Sequence, residues 1–377
     1  MKVGFIHDHK FYEYNGKVYS KGGLPSKVLN RYSKIFGEVL VMGRVNKTNC
    51  TDGFVSSMGE NITFKLNYKY KTPIQLLLKY NEIKLPIKEF LEEVDACIIR
   101  MPSILGLVAI RECIKVGKPW AVEVVGCCWD SLWNYDKVKG KILAPIMYAL
   151  NRYYIGKSKF AIYVSEYFLQ SRYPSKGIVA SASDVCIDIM SDLVLEEREK
   201  KIENLSKNSE IILGIVGSLD VDYKGHRHAM VVISELVKKG YNVKLKCLGA
   251  GNPDRWINMS ERLGISDRVE FCGFIPSGLP VINWLDNIDI FIIPSLTEGF
   301  PRILVEAMSR GCPCYGSSVG GIKELLRSNS TFKPKNKKQF IKIIESAILD
   351  KDSLKSNSKY NFIKSKQYTK SLLDEKR

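Results

Sequence analysis

Nowhere in this chain do apolar residues run on for the ~18–20 positions that a helix needs to cross a bilayer, so the sequence offers no transmembrane span. The opening Met1-Lys-Val-Gly-Phe-Ile6 reads as a strand and lacks the longer apolar core and cleavage site of a signal peptide. Zinc-ligand spacing is missing too. None of the ten cysteines forms a C-x-x-C pair, and the four histidines do not cluster beside them. Cys127-Cys128 and Cys312-x-Cys314 are the close ones, while Cys97, Cys247 and Cys272 lie in apolar runs, where a free thiol acts as a small hydrophobe. That usage fits a reducing cytoplasm. No G-x-G-x-x-G follows a strand, so the dinucleotide fingerprint is absent. No ribonucleoprotein or zinc-finger motif argues for nucleic acid.

What is present in excess is positive charge. Against 40 Asp and Glu stand 57 Lys and Arg, giving +17 and a pI near 9.3. Residues 1–180 hold 27 of the basic and 15 of the acidic residues, a net of +12, which leaves +5 for the remainder. An anionic membrane surface is the favoured partner for that half, with plain solvation close behind. The expected location is the cytoplasm, with the inner face of the cell membrane as the docking surface.

The 377 residues, 45% hydrophobic, suit about two domains. Val3–Ile6, Val39–Met42, Ala96–Ile99, Ala121–Val125 and Ala161–Val164 read as strands, with helices over Leu24–Phe36, Ile104–Val116 and Lys141–Ile155. Phe11–Tyr19 reads as a hairpin turning at Asn15-Gly16. After a charged stretch the pattern restarts. Ile211–Val216, Val243–Leu248, Val269–Phe271, Ile290–Ile293 and Pro313–Tyr315 are the strands, with helices near Ala229–Lys239, Asp254–Leu263, Pro301–Ser309 and Ile322–Leu326. Such alternation predicts doubly wound parallel sheets. The expected division is a first Rossmann-like domain over 1–190, a charged linker over 191–209, a second domain over 210–355 and a C-terminal segment over 356–377.

Glu298-Gly-Phe-Pro-Arg-Ile-Leu-Val-Glu306 carries the sharpest signal: two glutamates eight residues apart, directly after the apolar run Ile290-Phe-Ile-Ile-Pro294. Glu306 falls among apolar residues of a helix whose first turn suits Pro301, where a carboxylate is costly unless something pairs with it. Glu298 lies just before the helix, where free N–H groups gather. The two carboxylates, about 7–8 Å apart along the axis, can grip a polyhydroxylated ligand at two points. The competing reading, a surface helix with two solvated glutamates, fits the apolar residues between them poorly. Gly22-Gly23 opens the first helix, and paired glycines allow backbone N–H groups to approach a phosphate. Gly217-Ser218 and Lys224-Gly225 follow the first strand of the second half, and Ser318-Val-Gly-Gly-Ile-Lys-Glu324 follows its last core strand.

This set resembles the retaining glycosyltransferases of the GT-B fold, glycosyltransferase family 4, over most of the chain and most strongly in its second half. The resemblance implies two Rossmann-like domains facing a cleft, with the 356–377 segment crossing back to the first domain. It also implies a nucleotide diphosphate sugar, UDP- or GDP-linked, as co-substrate, no metal and no other cofactor. The donor-binding residues it implies are Gly22, Gly23, Gly217, Lys224, Glu298, Gly299, Phe300, Pro301 and Glu306. Glu298 would contact the sugar, Glu306 the ribose and Lys224 the diphosphate. Ser218 stands where the family often has Arg, and Arg302 or Arg227 are the candidate substitutes. Glu324 reads as structural. On the acceptor side, Trp129 and Trp133 offer stacking faces, and Asp130 is the candidate catalytic contact beside Glu298 and Lys224, its competing role being a helix N-cap. His7-Asp8-His9 follows the first strand and reads as a loop contact. The expected activity is transfer to a hydroxyl of a glycan or lipid-linked acceptor in surface polysaccharide synthesis. The alternatives are a catalytically silent nucleotide-sugar-binding subunit and a GT-B-like sugar-nucleotide epimerase.

Overall fold

The computed structural model describes the whole chain except Gly22 and residues 67–79, 136–137 and 207–208. The chain divides into two compact units, each assembled from three stretches. Met1–Cys128, Pro145–Val164 and Leu169–Asp184 make the first; Trp129–Ala144, Ser165–Phe168 and Val185–Arg377 make the second.

In the first unit β1 (Lys2–Tyr14), β2 (Lys17–Ser20), β3 (Glu38–Lys47), β4 (Val55–Ser56), β5 (Ile62–Phe64), β6 (Ala96–Met101), β7 (Trp120–Val124), β8 (Phe160–Tyr163) and β9 (Ile178–Ser181) form one sheet. Its parallel part runs β5-β3-β1-β6-β7-β8-β9, so strand order reverses between β1 and β6. The far end of β1 turns back into β2 at Asn15-Gly16, with φ 48° and 70°, the conformation that Asn-Gly accepts most readily. Helix Ile104–Val116 occupies the residues expected of it. Ser103 accepts from the Gly106 N–H at one end and Gly117 closes the other at φ 68°. The other expected helices of this half of the sequence are Ser26–Phe36, in the first unit, and Val138–Ile155, whose residues 138–144 belong to the second unit.

The second unit has β10 (Ile211–Val216), β11 (Val243–Leu248), β12 (Val269–Gly273), β13 (Ile290–Ile293), β14 (Cys314–Ser317) and β15 (Thr331–Phe332). All are parallel, in the order β12-β11-β10-β13-β14-β15. All four residues of β13 are buried, as a strand covered on both faces requires. The order reverses between β10 and β13, and open α/β sheets bind ligands outside the carboxyl ends of their strands at such a switch point.

Two stretches differ from the sequence reading. The charged run read as a linker is mostly helix Leu193–Glu203 of the second unit, though residues 207–208 lie outside the described chain. Its buried Arg198 donates to the carbonyls of Ile288 at 2.6 Å, Leu285 at 2.9 Å and Arg310 at 3.3 Å, which anchors a helix with no strong apolar face. The tail is also tied into the second unit. In helix Lys351–Ser365, Asn357 Oδ1 accepts the Cys314 N–H at 2.9 Å, Ser358 donates to Gly311 O at 2.6 Å and Asn361 donates to Cys312 O at 2.9 Å. Lys364 and Lys376 lie 3.8 and 3.9 Å from Glu166, which belongs to the same unit.

Candidate active site

The loop after β10 is shaped by what its glycines leave room for. A Cβ on Gly217 would lie 2.8 Å from Lys224 Cγ, so the glycine provides the space that the lysine stem fills. Gly225 sits at φ 86°, and a Cβ there would lie 2.2 Å from Pro294 O. The Leu296 N–H donates to Tyr223 O at 2.7 Å, joining this loop to the one after β13. Across the joint Lys224 Nζ donates to Glu298 Oε1 at 2.8 Å, and Ser295 Oγ donates to the same oxygen at 2.7 Å. The two charged side chains are 24% and 11% exposed, shielded enough for the loss of either partner to be felt. Glu298 Oε2 makes no hydrogen bond among the described residues.

A second pair of glycines holds the same loop from its other side. A Cβ on Gly320, at φ 48°, would lie 1.7 Å from Glu298 O, and one on Gly321 would lie 2.6 Å from Gly299 O. The Gly321 N–H donates to Gly299 O at 2.9 Å. The Gly-Gly-x-x-Glu segment therefore fixes the backbone that carries Glu298. Its own Glu324 accepts from the N–H groups of Glu166 at 2.7 Å, Tyr167 at 3.0 Å and Phe168, a structural clasp in keeping with the sequence reading.

Helix Arg302–Ser309 starts one residue later than expected, with Pro301 at its N-cap. The N–H groups of Gly299 and Phe300 make no hydrogen bond among the described residues, so the turn offers two free donors. The Phe300 ring packs on Tyr368, centroids 5.2 Å apart, which leaves the backbone of Phe300 for contacts in the loop. Glu306 is half-buried, and its carboxylate accepts no hydrogen bond among the described residues. Burial raises its pKa, while Arg302 one turn earlier pulls the other way. The native state then binds this proton more readily than the unfolded chain, so the ionised group costs stability at neutral pH, and the cost fades as pH falls toward the unfolded value. Glu306→Gln is expected to melt above the wild type at pH 7, with the gap closing near about pH 4. A variant that melts lower at pH 7 would contradict an unpaired carboxylate.

Of the cations proposed to stand in for the family Arg, Arg227 is exposed in the first turn of helix His226–Lys238, and Arg302 is exposed and feels Glu306. Ser218 Oγ accepts the Asp220 N–H at 3.3 Å. The sequence reading missed Arg255, which reaches this loop from helix Asp254–Arg262, donating to Leu219 O through Nε at 3.1 Å and to Asp222 at 3.0 Å. It also missed Ser295, whose only sequence signal is a hydroxyl at the end of a buried strand.

In the first unit the space above Gly23 belongs to His9: a Cβ would lie 2.8 Å from the ring, whose Nε2 is 2.7 Å from Ser20 Oγ. Gly22 lies outside the described residues. His7 Nδ1 is 3.1 Å from Arg100 O, and the Asp8 carboxylate receives the N–H groups of Ile104 and Leu105 at the start of helix Ile104–Val116. Burial, reinforced by Arg100, lowers the His7 pKa to about 3 and the His9 pKa to about 4, so both rings are neutral at pH 7. Asp130, which belongs to the second unit, is in the first turn of helix Cys128–Tyr135, within the helix and not at its cap, and it is no part of the Lys224–Glu298–Ser295 cluster. Trp129 and Trp133 stack on each other, centroids 5.4 Å apart and planes at 10°, so each already uses one face.

Two doubly wound parallel-sheet units, with a carboxylate–ammonium pair at the switch point of the second, are the architecture of the GT-B class. The chain matches the model of the family described as glycosyl transferases group 1 over residues 196–364. It is 34% identical over 357 residues to Protein CapJ of Staphylococcus aureus, covering 95% of this chain and 89% of the relative. It is 27% identical over 137 residues to the capsular polysaccharide biosynthesis glycosyltransferase CapM of the same organism, covering 36% of this chain and 34% of CapM. Among solved structures, Anabaena HepE in complex with UDP superposes with a TM-score of 0.66 at 14% identity, covering 100% of this chain and 98% of HepE. The chain belongs to the glycosyl transferases group 1 family and is a glycosyltransferase.

Proposed function

We propose that this enzyme transfers a sugar from a UDP- or GDP-linked donor to a hydroxyl of a glycan or lipid-linked acceptor in surface polysaccharide assembly, with retention of configuration and without a metal. The observation that carries the reading is the Lys224–Glu298–Ser295 cluster at the β10/β13 switch point, with the half-buried Glu306 carboxylate on the following helix. The name of CapM supports the polysaccharide setting, and the UDP complex of HepE supports the donor class. In this reading Glu306 receives the ribose hydroxyls, and the free Oε2 of Glu298 receives a sugar hydroxyl. Lys224 and the free N–H groups after Glu298 face the departing diphosphate, where fixed donors stabilise developing charge. The bond from the anomeric carbon to the diphosphate breaks as the acceptor oxygen bonds on the same face, and the acceptor proton passes to the departing phosphate oxygen. No enzyme carboxylate acts as nucleophile.

The anomeric configuration of the product, read by NMR against that of the donor, tests the reaction. An inverted product would overturn retention. A panel of nucleotide sugars screened by thermal shift identifies the donor, since a ligand that binds only the native state raises its melting temperature. Glu306→Gln should weaken that donor by about 1.5–3 kcal/mol, the range for hydrogen bonds to a charged group. A chelator should leave turnover unchanged. Loss of activity restored by magnesium or manganese would refute the metal-free part of the proposal.

A further inference from the structure

Helix Val138–Ile155 is apolar on two opposite faces. Ala144, Met147 and Ile155 are buried on the inner one. At 3.6 residues per turn, Val138, Ile142, Ile146, Ala149 and Tyr153 share the outer face, and Val138, Ile142, Ile146 and Tyr153 are 71%, 63%, 54% and 56% exposed. Leu150 extends the strip at its margin, 37% exposed. Basic residues flank it on both edges, Lys139 on one and Lys141 with Arg152 on the other, all exposed. Lys157, just past the helix, lies 4.3 Å from the centroid of the Tyr153 ring. The helix contains no Asp or Glu.

We infer that this outer face is a docking surface for an anionic lipid bilayer, with the helix lying in the plane of the interface. A strip of bulky aliphatic residues and tyrosine, bordered by lysine and arginine, places its apolar side chains at the acyl boundary and its cations among the headgroups. The face is about 27 Å long at 1.5 Å per residue. The charge on both edges selects an anionic plane over a neutral one. No helix among the described residues is long and apolar enough to cross a membrane, so the contact is peripheral. The inference rests on this surface alone and is independent of the donor, the acceptor and the stereochemistry proposed above.

The test is co-sedimentation of the full chain with vesicles of phosphatidylcholine, with or without phosphatidylglycerol, in the absence of donor and acceptor. The wild type is expected to bind the anionic vesicles, weakly or not at all the neutral ones, and less as salt rises. Ile142→Glu with Ile146→Glu should cut anionic binding at least about tenfold by losing apolar contact and adding repulsion. Lys139→Gln and Lys141→Gln should each cut it about fivefold. These sites are exposed, so the circular dichroism spectrum and melting temperature should stay at wild-type values and certify the fold. Equal binding to both vesicle types, or full binding by the double glutamate variant, would overturn the inference. So would a dimer in vesicle-free solution that the double variant dissociates, because the strip would then be an interface between copies.

Discussion

Lys224→Ala is expected to lower turnover about 100–1,000-fold, the range for removing one fixed group that stabilises charge in a transition state. Donor affinity should change far less, because an ammonium facing a leaving diphosphate acts most strongly when charge has built up there. The same substitution removes the partner of a carboxylate only 11% exposed, so stability should fall by about 1–3 kcal/mol. The two effects separate in a double variant. Glu298→Gln added to Lys224→Ala removes the uncompensated charge, and the melting temperature should recover most of its loss while turnover stays low. Recovery of both would show that the lysine serves only to hold the loop. A rise in KM with turnover intact would show that it binds the ground state and the transition state alike.

Gly320→Ala should be nearly as damaging, although it adds one methyl group and touches no charged atom. The new Cβ would lie 1.7 Å from Glu298 O, on a residue held at φ 48°. The overlap is with backbone, which no rotamer can relieve, so the Glu298–Phe300 turn must move. A misplacement of about 1 Å at a reacting group costs about 100-fold in rate, and the steric and conformational strain together should cost about 3 kcal/mol or more in stability. Gly273→Ala is the control. Gly273 has φ 70° with nothing within 4 Å of a built Cβ, so it should show only the left-handed backbone penalty of about 1–2 kcal/mol and unchanged turnover. Equal losses of turnover in the two variants would mean that Gly320 does not position Glu298.

Local signals were enough to read most elements of this fold. Asn15-Gly16 determines its turn through bonds to residues a few positions away, and the alternation of apolar runs located both sheets. Long-range polar contacts left no such trace. Helix Leu193–Glu203 reads as a solvated charge run because its anchor, Arg198, bonds to carbonyls some 90 residues away. Glu298 was legible from its spacing and its resemblance. That Lys224 and Ser295 share one of its oxygens was not, because that depends on two loops meeting at the end of a sheet. The roles of Gly217 and Gly320 were equally hidden, since a glycine in a string does not reveal which atom would occupy its missing side chain.

The clasp at Glu324 bears on how this chain can be cut and recombined. The second unit includes 129–144 and 165–168, so a gene split near residue 190 would leave the downstream product without segments that complete it and Glu324 without its three donors. Exchange of halves between related enzymes meets a milder constraint. The groups that Glu324 gathers are main-chain amides, which every residue but proline supplies. A foreign 166–168 loop of any other sequence can satisfy the carboxylate if its path is kept, so this junction recognises the shape of its neighbour and leaves the neighbour's side chains free to vary.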